Sequence, residues 1–432
     1  MTDAARSSPP TSARWTALVL VSLAMFGNYY VYDCVNPLEE LFASQLGVSA
    51  AQFGLLQGVY SVPNVFLPLF GGILIDRLGV RRSLLLFAGV CLLGAALTAS
   101  TGVFAVIVAG RLLFGMGAES LVVASSTALA KWFHGREIGF AFGLNLTIAR
   151  LGSWAADNSP IWAEFAFHHW QRPLQLALGF AAVSVLSALA YAWLERRVES
   201  RHGLAGGTPS DRVDLKGIGR LGRSYWFVVA LCFTFYSGIF PFRTFAVKML
   251  QSVHGLSLEQ ASFLNSTLIV AAMIFTPLFG LLVDRIGRRA LLMVAGSLLL
   301  LPTYAILMYG SVPPQVPVAM MGMAFALIPA VMWPAVAYLV DLRYLGTALG
   351  LMTMVQNVGL AGFNFLIGWA NARSGASVEN PGGYALGVWI FTALAAAGFV
   401  FALLLRRAET GPHARGLEAP NPRPPGEEGA NK

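Results

Sequence analysis

Long runs of hydrophobic residues, separated by short polar segments, extend along most of the chain. About twelve runs reach the roughly 20 mostly apolar residues that a spanning helix needs. They lack the period-two alternation of membrane strands and are rich in Leu, Ala, Gly and Phe. The pattern predicts an all-α membrane protein with twelve transmembrane helices, centred near residues 26, 63, 92, 116, 149, 183, 236, 272, 300, 328, 358 and 394.

Three short segments of the first half recur in the second half at almost the same offset, 207 or 208 residues. One such match would be weak, but three at one spacing indicate an internal duplication. Parallel repeats of a membrane domain are a transporter architecture. The matched segments are 76–79 with 284–287, 136–143 with 343–350, and 47–49 with 255–257.

The duplication and the hydrophobic runs together predict the domain boundaries. We expect six-helix halves at 15–194 and 224–406, and a polar, Gly-rich cytoplasmic linker at 195–223. The first apolar run shows no small-residue cleavage site, so we expect it to remain as helix 1. Residues 1–14 and 407–432 are polar, and we expect both ends to be disordered.

Composition agrees with a membrane protein, since 56% of the residues are hydrophobic and only 12% are charged. Basic residues favour cytoplasmic loops, and here they cluster between helices 2 and 3, 4 and 5, 8 and 9, and 10 and 11. Both termini are therefore expected in the cytoplasm. This loop bias accounts for the net charge of +8, so nucleic-acid binding is not indicated.

The chain offers little for catalysis or metal binding. Cys34, Cys91 and Cys232 fall inside predicted spans, where neither a disulfide framework nor a metal site is indicated. No nucleophile and base pair or nucleotide loop stands outside the apolar runs. We therefore expect no enzyme activity and no cofactor.

The segments 72–82 and 280–289 both read Gly-x-x-x-Asp-Arg-x-Gly-x-Arg, followed in the first copy by a second Arg. This signature after helices 2 and 8 resembles that of the major facilitator superfamily, over essentially residues 15 to 406. The resemblance implies two pseudo-symmetric six-helix halves. Segments 29–33, 115–120 and 145–150 further resemble the branch of the animal lysosomal dipeptide transporters, which implies facilitated uniport without a coupled ion.

The signature residues suggest a gate, because acids and arginines at helix ends can pair across the interface between the halves. The competing interpretation is that they only determine topology. The gate candidates are Asp76, Arg77, Arg81, Arg136, Asp284, Arg285 and Arg343.

Two ionisable residues are predicted near the middle of the bilayer, where charge is costly and usually functional. Glu119 precedes His134, the loop centre between helices 4 and 5, by 15 positions, and Arg150 follows it by 16. At about 1.5 Å per residue, both lie about 22 to 24 Å from that loop. A carboxylate and a guanidinium at one depth match the ammonium and the carboxylate of a zwitterion. An internal salt bridge between the two helices is the alternative.

Other polar and aromatic residues inside the spans complete the candidate site. On helix 1 they follow helical spacing through Asn36, so they should share one face; Asp33 could bind an amine, carry a proton or cap the helix end. The additional substrate-binding candidates are Tyr29, Tyr32, Asp33, Tyr60, Tyr236, Trp333 and Asn357.

These residues predict an alternating-access transporter of small zwitterions, dipeptides first, acting as a monomer in a plasma membrane that we expect to be the bacterial inner membrane. A proton-coupled carrier of drugs or organic ions is the alternative, since Arg111-x-x-x-Gly115-x-Gly117 resembles a motif of proton-coupled members. A sensor that does not transport is a third class.

Overall fold

The computed structural model describes residues 10–133, 138–202, 221–340, 345–412 and 414–419. In these ranges the regular structure consists of helices, as predicted. Their bounds are α1 Thr11–Asp33, α2 Glu39–Leu46, α3 Ala50–Val59, α4 Leu67–Leu78, α5 Val80–Thr98, α6 Phe104–Phe133, α7 Ile138–Asp157, α8 Ser159–Trp162, α9 Gln171–His202, α10 Arg223–His254, α11 Leu258–Ile286, α12 Arg289–Leu300, α13 Thr303–Tyr309, α14 Gln315–Leu339, α15 Leu345–Arg373 and α16 Ala385–Glu409.

Ten helical segments of the described chain combine the length and hydropathy needed to cross a bilayer. The predicted spans near residues 63 and 149 are helical but fall outside this set. The first is interrupted between α3 and α4 by a 3-10 turn at Pro63–Val65, because proline cannot donate the next helical hydrogen bond. The second, α7, carries the polar Asn145, Arg150 and Asp157.

The chain divides into two compact units. Unit 1 contains residues to Leu46 and Val59–Ser210, and unit 2 contains Gly47–Gly58 and the chain from Asp211 onward. Most of α3 therefore groups with unit 2, where the predicted boundaries had placed it in the first half. Its backbone fits closely there, since a Cβ atom on Gly54 would lie 2.3 Å from the carbonyl oxygen of Asn364 in α15.

In unit 1, α1 packs against α6, α7 and α9, and α5 packs against α6 and α9. Glycines allow these helices to approach closely, as is common in membranes. A Cβ on Gly27 of α1 would lie 2.3 Å from the carbonyl oxygen of Phe180 in α9, and one on Gly152 of α7 would lie 2.2 Å from that of Phe26. Helix α1 is thus held between α7 and α9 by backbone contacts.

In unit 2, α10 packs against α11, α15 and α16, while α14 packs against α11 and α12. Large apolar side chains remain exposed along several helices of both units, for example Leu186 at 63% and Leu281 at 61%. Such surface suits contact with lipid rather than water.

In two of the repeated segments, the same glycine has a positive φ in both copies. Gly79 and Gly287 end α4 and α11 with φ of 78° and 62°, and Gly47 and Gly255 have φ of 65° and 64°. Only glycine adopts this region without strain, so the repeated glycines mark repeated turns.

A reciprocal cap follows the second pair of turns. The Ser49 and Gln52 side chains bond each other's backbone N–H at 3.3 Å and 2.9 Å. Ser257 and Gln260 do the same at 3.3 Å and 3.1 Å. The Ser-x-x-Gln spacing is a capping box. The repeat therefore extends beyond residues 47–49 and 255–257 to the glutamine three positions after each serine.

The predicted linker and tail are more ordered than their composition suggests. Helix α9 continues to His202. Within its last three turns, the Glu195 carboxylate accepts a hydrogen bond of 2.7 Å from Lys131 of α6. Residues 203–220 lie outside the described part. At the other end, α16 continues to Glu409, and Leu417 is fully buried. The expected disorder from residue 407 is therefore wrong for the described residues up to 419, whose polar groups bond to helix ends.

We predict that Gly152→Ala lowers the free energy of unfolding by about 1 to 3 kcal/mol, the usual cost of overpacking. The added methyl group would collide with the Phe26 carbonyl. Gly143→Ala is the matched control on the same helix, because its Cβ would meet no atom within 4 Å. Equilibrium unfolding in mixed detergent micelles measures both, and equal stability of the two variants would contradict the close contact between α1 and α7.

Candidate substrate-binding site

Glu119 lies in α6 with its side chain half-buried. The Tyr60 hydroxyl donates to the Glu119 carboxylate at 3.4 Å. One helical turn earlier, a Cβ on Gly115 would lie 2.3 Å from the Tyr60 carbonyl oxygen. The glycine therefore lets α6 approach the broken helix at Tyr60, and residues four apart share a helix face. The result is a phenol held beside the acid.

The break in the helix leaves the Tyr60 carbonyl oxygen without its helical hydrogen bond, and a nearby side chain replaces that bond. Asn64 follows Pro63 and donates its side-chain amide to the Tyr60 carbonyl oxygen at 3.0 Å. This bond satisfies an oxygen that an unbroken helix would have used internally. The broken helix and the phenol beside Glu119 thus belong to the same local structure.

Arg150 lies in α7, also half-buried, with its guanidinium carbon 5.5 Å from the centre of the Tyr29 ring of α1. This is within the range of a cation–π contact. Helix α7 is fixed against α1 on both sides of Arg150, by the Gly152 contact and by a hydrogen bond of 3.1 Å from Ser22 to Asn145. The position of the guanidinium is therefore set by two rigid helices.

Tyr29 lies beside one of the two charged residues. Its ring contacts the Arg150 guanidinium, and its hydroxyl interacts electrostatically with Arg150, Glu119 and Asp33. That Glu119 and Arg150 lie at one depth and face one solute stays a prediction. Half-buried charges in apolar helices can bind a polar solute, because part of each charged group remains accessible.

Asp33 is arranged differently from the helical stripe that the sequence suggests. Helix α1 ends at Asp33, and Asn36 in the following turn donates to Asp33 at 3.0 Å and to Asp157 at 3.1 Å. Both carboxylates are almost fully buried, at 2% and 1% exposure. Tyr32, one residue before, remains half-buried. Asp33 thus belongs to a buried carboxylate–amide network at the helix end.

Arg111 supports this region and was absent from the predicted site. Its guanidinium, 1% exposed, donates to the carbonyl oxygens of Val31 and Tyr32 at 3.0 Å and 3.1 Å. It also lies 5.9 Å and 5.8 Å from the ring centres of Tyr32 and Tyr60. The sequence signal that could have identified Arg111 is its position as a charged residue inside an apolar run. Arg111 positions the end of α1 and two aromatic rings of the site.

Two of the three candidates of unit 2 contact each other. The Trp333 indole donates to the Tyr236 hydroxyl at 2.9 Å, and Tyr236 stacks on Phe240 with ring centres 5.5 Å apart. Asn357 is buried and donates to the Thr353 carbonyl at 3.1 Å. The structure brings Tyr236 and Trp333 together. Their contact with a substrate stays a prediction.

The gate candidates are only partly described. Arg77 and Arg285 are exposed, and Arg81 lies 3.7 Å from the Glu199 carboxylate. That ion pair lies within unit 1, whereas the sequence suggests pairing across the halves. Arg136 and Arg343 lie outside the described residues, as do the side chains of Asp76 and Asp284. The gate remains a prediction.

Residues 21–363 and 244–428 match the family model of the Major Facilitator Superfamily. The lysosomal dipeptide transporter MFSD1 of Homo sapiens is 31% identical over 368 residues, which cover 82% of this chain and 79% of that protein. The probable sulfoacetate transporter SauU of Cupriavidus necator is 24% identical over 421 residues, 91% of this chain and 94% of its own.

Two solved structures share the fold at low sequence identity. A bacterial homologue of the human lysosomal transporter Spinster gives a TM-score of 0.75 at 16% identity, covering 92% of this chain and 98% of its own. The nucleoside transporter NupG gives 0.73 at 14% identity, covering 90% and 98%. With its apolar helices, its duplicated signature and these relatives, the chain belongs to the major facilitator superfamily and is a multi-pass membrane transporter, not an enzyme.

Proposed function

We propose that the protein carries small zwitterions, dipeptides first, by facilitated uniport. The observation that carries this proposal is the presence of a half-buried acid and a half-buried guanidinium in the apolar helices of one unit, Glu119 beside Tyr60 and Arg150 beside Tyr29. Glu119 would bind the ammonium group of the solute, and Arg150 would hold its carboxylate through two parallel hydrogen bonds. The similarity to a protein named as a dipeptide transporter supports the same substrate class.

The surroundings of the two charges suit such a solute. The Tyr60 hydroxyl and the Tyr29 ring lie beside the acid and the base respectively, where they restrict the rotamers of both. Arg111 holds the adjacent end of α1 in place. Preorganised groups lose less entropy when the solute binds. Alternating access would then open this site to one side of the membrane at a time.

The remaining features of the proposal concern the protein in its membrane. We propose a monomer with twelve spanning helices, both termini in the cytoplasm, in a bacterial inner membrane. The basic loops that follow helices 2, 4, 8 and 10 support this orientation.

We predict that Glu119→Gln and Arg150→Gln each reduce dipeptide uptake into proteoliposomes by about 10- to 100-fold at low substrate concentration. A hydrogen bond to a charged group contributes about 1.5 to 3 kcal/mol, and each 1.4 kcal/mol is a factor of ten. Initial rates with a radiolabelled dipeptide measure the effect.

Glu164→Gln and Arg172→Gln are the matched controls, since both side chains are exposed in the same unit. We expect both to transport like the wild-type protein. If the Glu119 and Arg150 variants also did so, the pair would serve only to join α6 and α7, and the proposed site would be wrong.

A proton-coupled carrier of drugs or organic ions is the second candidate function. The buried carboxylates Asp33 and Asp157, both bonded to the Asn36 side chain, favour it, because acids inside apolar helices are the usual residues of proton pathways in transporters. A proton-coupled carrier would bind and release its proton at these carboxylates, whereas a uniporter would move its substrate without a proton.

We predict that an imposed pH gradient leaves the final dipeptide ratio across the proteoliposome membrane at one, with the membrane potential clamped at zero. One coupled proton would instead drive about tenfold accumulation per pH unit, since a pH unit is 1.36 kcal/mol. Accumulation that disappears in Asp33→Asn would contradict uniport and support the second function.

A further inference from the structure

Residues Ala414–Ala419, here called the strap, follow α16 and lie against the ends of other helices of unit 2. Their main contact is with the start of α12. The backbone N–H groups of Arg288 and Arg289 donate to the Glu418 and Leu417 carbonyl oxygens at 3.2 Å and 3.1 Å. The Leu291 N–H donates to the Glu418 carboxylate at 3.1 Å.

These hydrogen bonds cap the N-terminus of α12. The first N–H groups of any helix lack partners within it, and the N-cap residue of α12, Arg288, makes no side-chain cap. The strap supplies acceptors to three of these donors, and the Glu418 carboxylate suits the positive end of the helix dipole. Helix α12 is thus capped by a segment more than a hundred residues away in the chain.

The same segment holds the backbone of the second signature in an unfavourable conformation. Arg288 has φ of 45°, the only described residue other than glycine with positive φ. Such a conformation persists only where the surroundings fix it. The Arg289 side chain is 2% exposed, donates to the Ala419 carbonyl at 3.1 Å and lies 4.6 Å from the Tyr338 ring centre. The strap therefore holds Arg288 and Arg289, the last two residues of this segment.

A buried carboxylate anchors the strap at its base. Glu409, 3% exposed, accepts hydrogen bonds from the Ser224 hydroxyl at 2.6 Å and from the Arg415 and Leu417 N–H groups at 2.9 Å and 3.3 Å. The Arg415 side chain donates to the Leu339 carbonyl at the end of α14, 3.2 Å away. The strap and Glu409 together join the ends of α10, α12, α14 and α16.

Among the described residues, the helix after the first copy of the signature starts in a different way. Helix α5 begins at Val80, directly after Gly79, and continues into regular hydrogen bonding with Ser83 donating to Gly79 at 3.2 Å. The two copies thus differ in what fixes the start of the following helix.

We propose that the strap is a latch: its docking caps α12, fixes the second signature segment and keeps the four helix ends moving as one body during transport. Release of the strap would free the start of α12 and slow the conformational cycle. Substrate affinity would not change, because the described hydrogen bonds of the strap go to helix ends and to none of the substrate-binding candidates of either unit. Only the transport part of the test rests on the proposed function.

Two chain truncations isolate the strap. Removal of residues 411–432 deletes it, and removal of residues 420–432 keeps it and serves as the control. Leu417→Asp in the full chain is a second way to release it, because a charge cannot stay in that fully buried position.

Hydrogen exchange tests the docking without any substrate. We expect amides of residues 288–292 to exchange at least tenfold faster in the strap deletion and in Leu417→Asp than in the control. Residues 80–84 of the first copy should be unchanged in all three. Trypsin should also cut after Arg415 at least tenfold faster in Leu417→Asp than in the wild-type protein. Equal exchange and equal cutting would overturn the proposal.

Dipeptide uptake into proteoliposomes tests whether release of the strap slows transport. We expect the strap deletion and Leu417→Asp to lower the maximal dipeptide uptake rate at least threefold, with KM within twofold of the control. Faster exchange with an unchanged maximal rate would overturn the role in transport. If the control itself carried no dipeptide while its strap stayed protected, the proposed substrate would be wrong and the docking would stand.

Discussion

Close backbone contacts at glycines are the constraint on which the rest of unit 1 depends. In a bilayer, packing of helix against helix has to hold the fold, because lipid is as apolar as the side chains themselves. Gly27, Gly115 and Gly152 have no room for a Cβ, since each faces a carbonyl oxygen at 2.2 to 2.3 Å from that position. Through them α1, α6, α7 and the broken helix at Tyr60 are brought to fixed distances. The positions of the charged residues Glu119 and Arg150 are fixed by the same packing.

This packing explains how costly groups can remain inside the apolar helices. Ionisable side chains in the membrane need partners, and here the partners come from neighbouring helices: the Tyr60 hydroxyl beside Glu119, the Tyr29 ring beside Arg150, and carbonyl oxygens at the end of α1 for Arg111. Glu119 and Arg150 stay half-buried, whereas Arg111 and Asp33 are covered. This difference in exposure is why the proposal assigns solute binding to the first pair and support of the α1 end to the second.

Much of this could be predicted from the sequence, for physical reasons that particular residues show. Hydrophobic runs identify the helices because lipid demands internally bonded backbone. Repeated glycines mark repeated turns because Gly79 and Gly287 both need positive φ. The presence of Glu119 and Arg150 inside apolar helices could be read directly from the sequence, whereas their common depth stays a prediction. In each case, local chemistry and regular geometry decide the outcome.

Other features depend on contacts between distant residues, which no local pattern contains. The broken helix at Pro63 is fitted by Gly115 of another helix, and the role of Arg111 depends on carbonyls that α1 presents. Composition predicts disorder from residue 407, yet Glu409, Arg415 and Glu418 find partners at the ends of α10, α14 and α12. The bridging of Asp33 and Asp157 by Asn36 requires α1 to end where it does.

The central claim is that Glu119 and Arg150 bind opposite ends of one solute. The most direct measurement is a set of dissociation constants for a dipeptide, its N-acetyl form and its C-terminal amide with the wild-type protein, Glu119→Gln and Arg150→Gln. We expect N-acetylation to weaken binding to the wild-type protein but not to Glu119→Gln, and amidation to weaken binding to the wild-type protein but not to Arg150→Gln. Each coupling energy should be about 1.5 to 3 kcal/mol. Equal losses in all three proteins would contradict the claim.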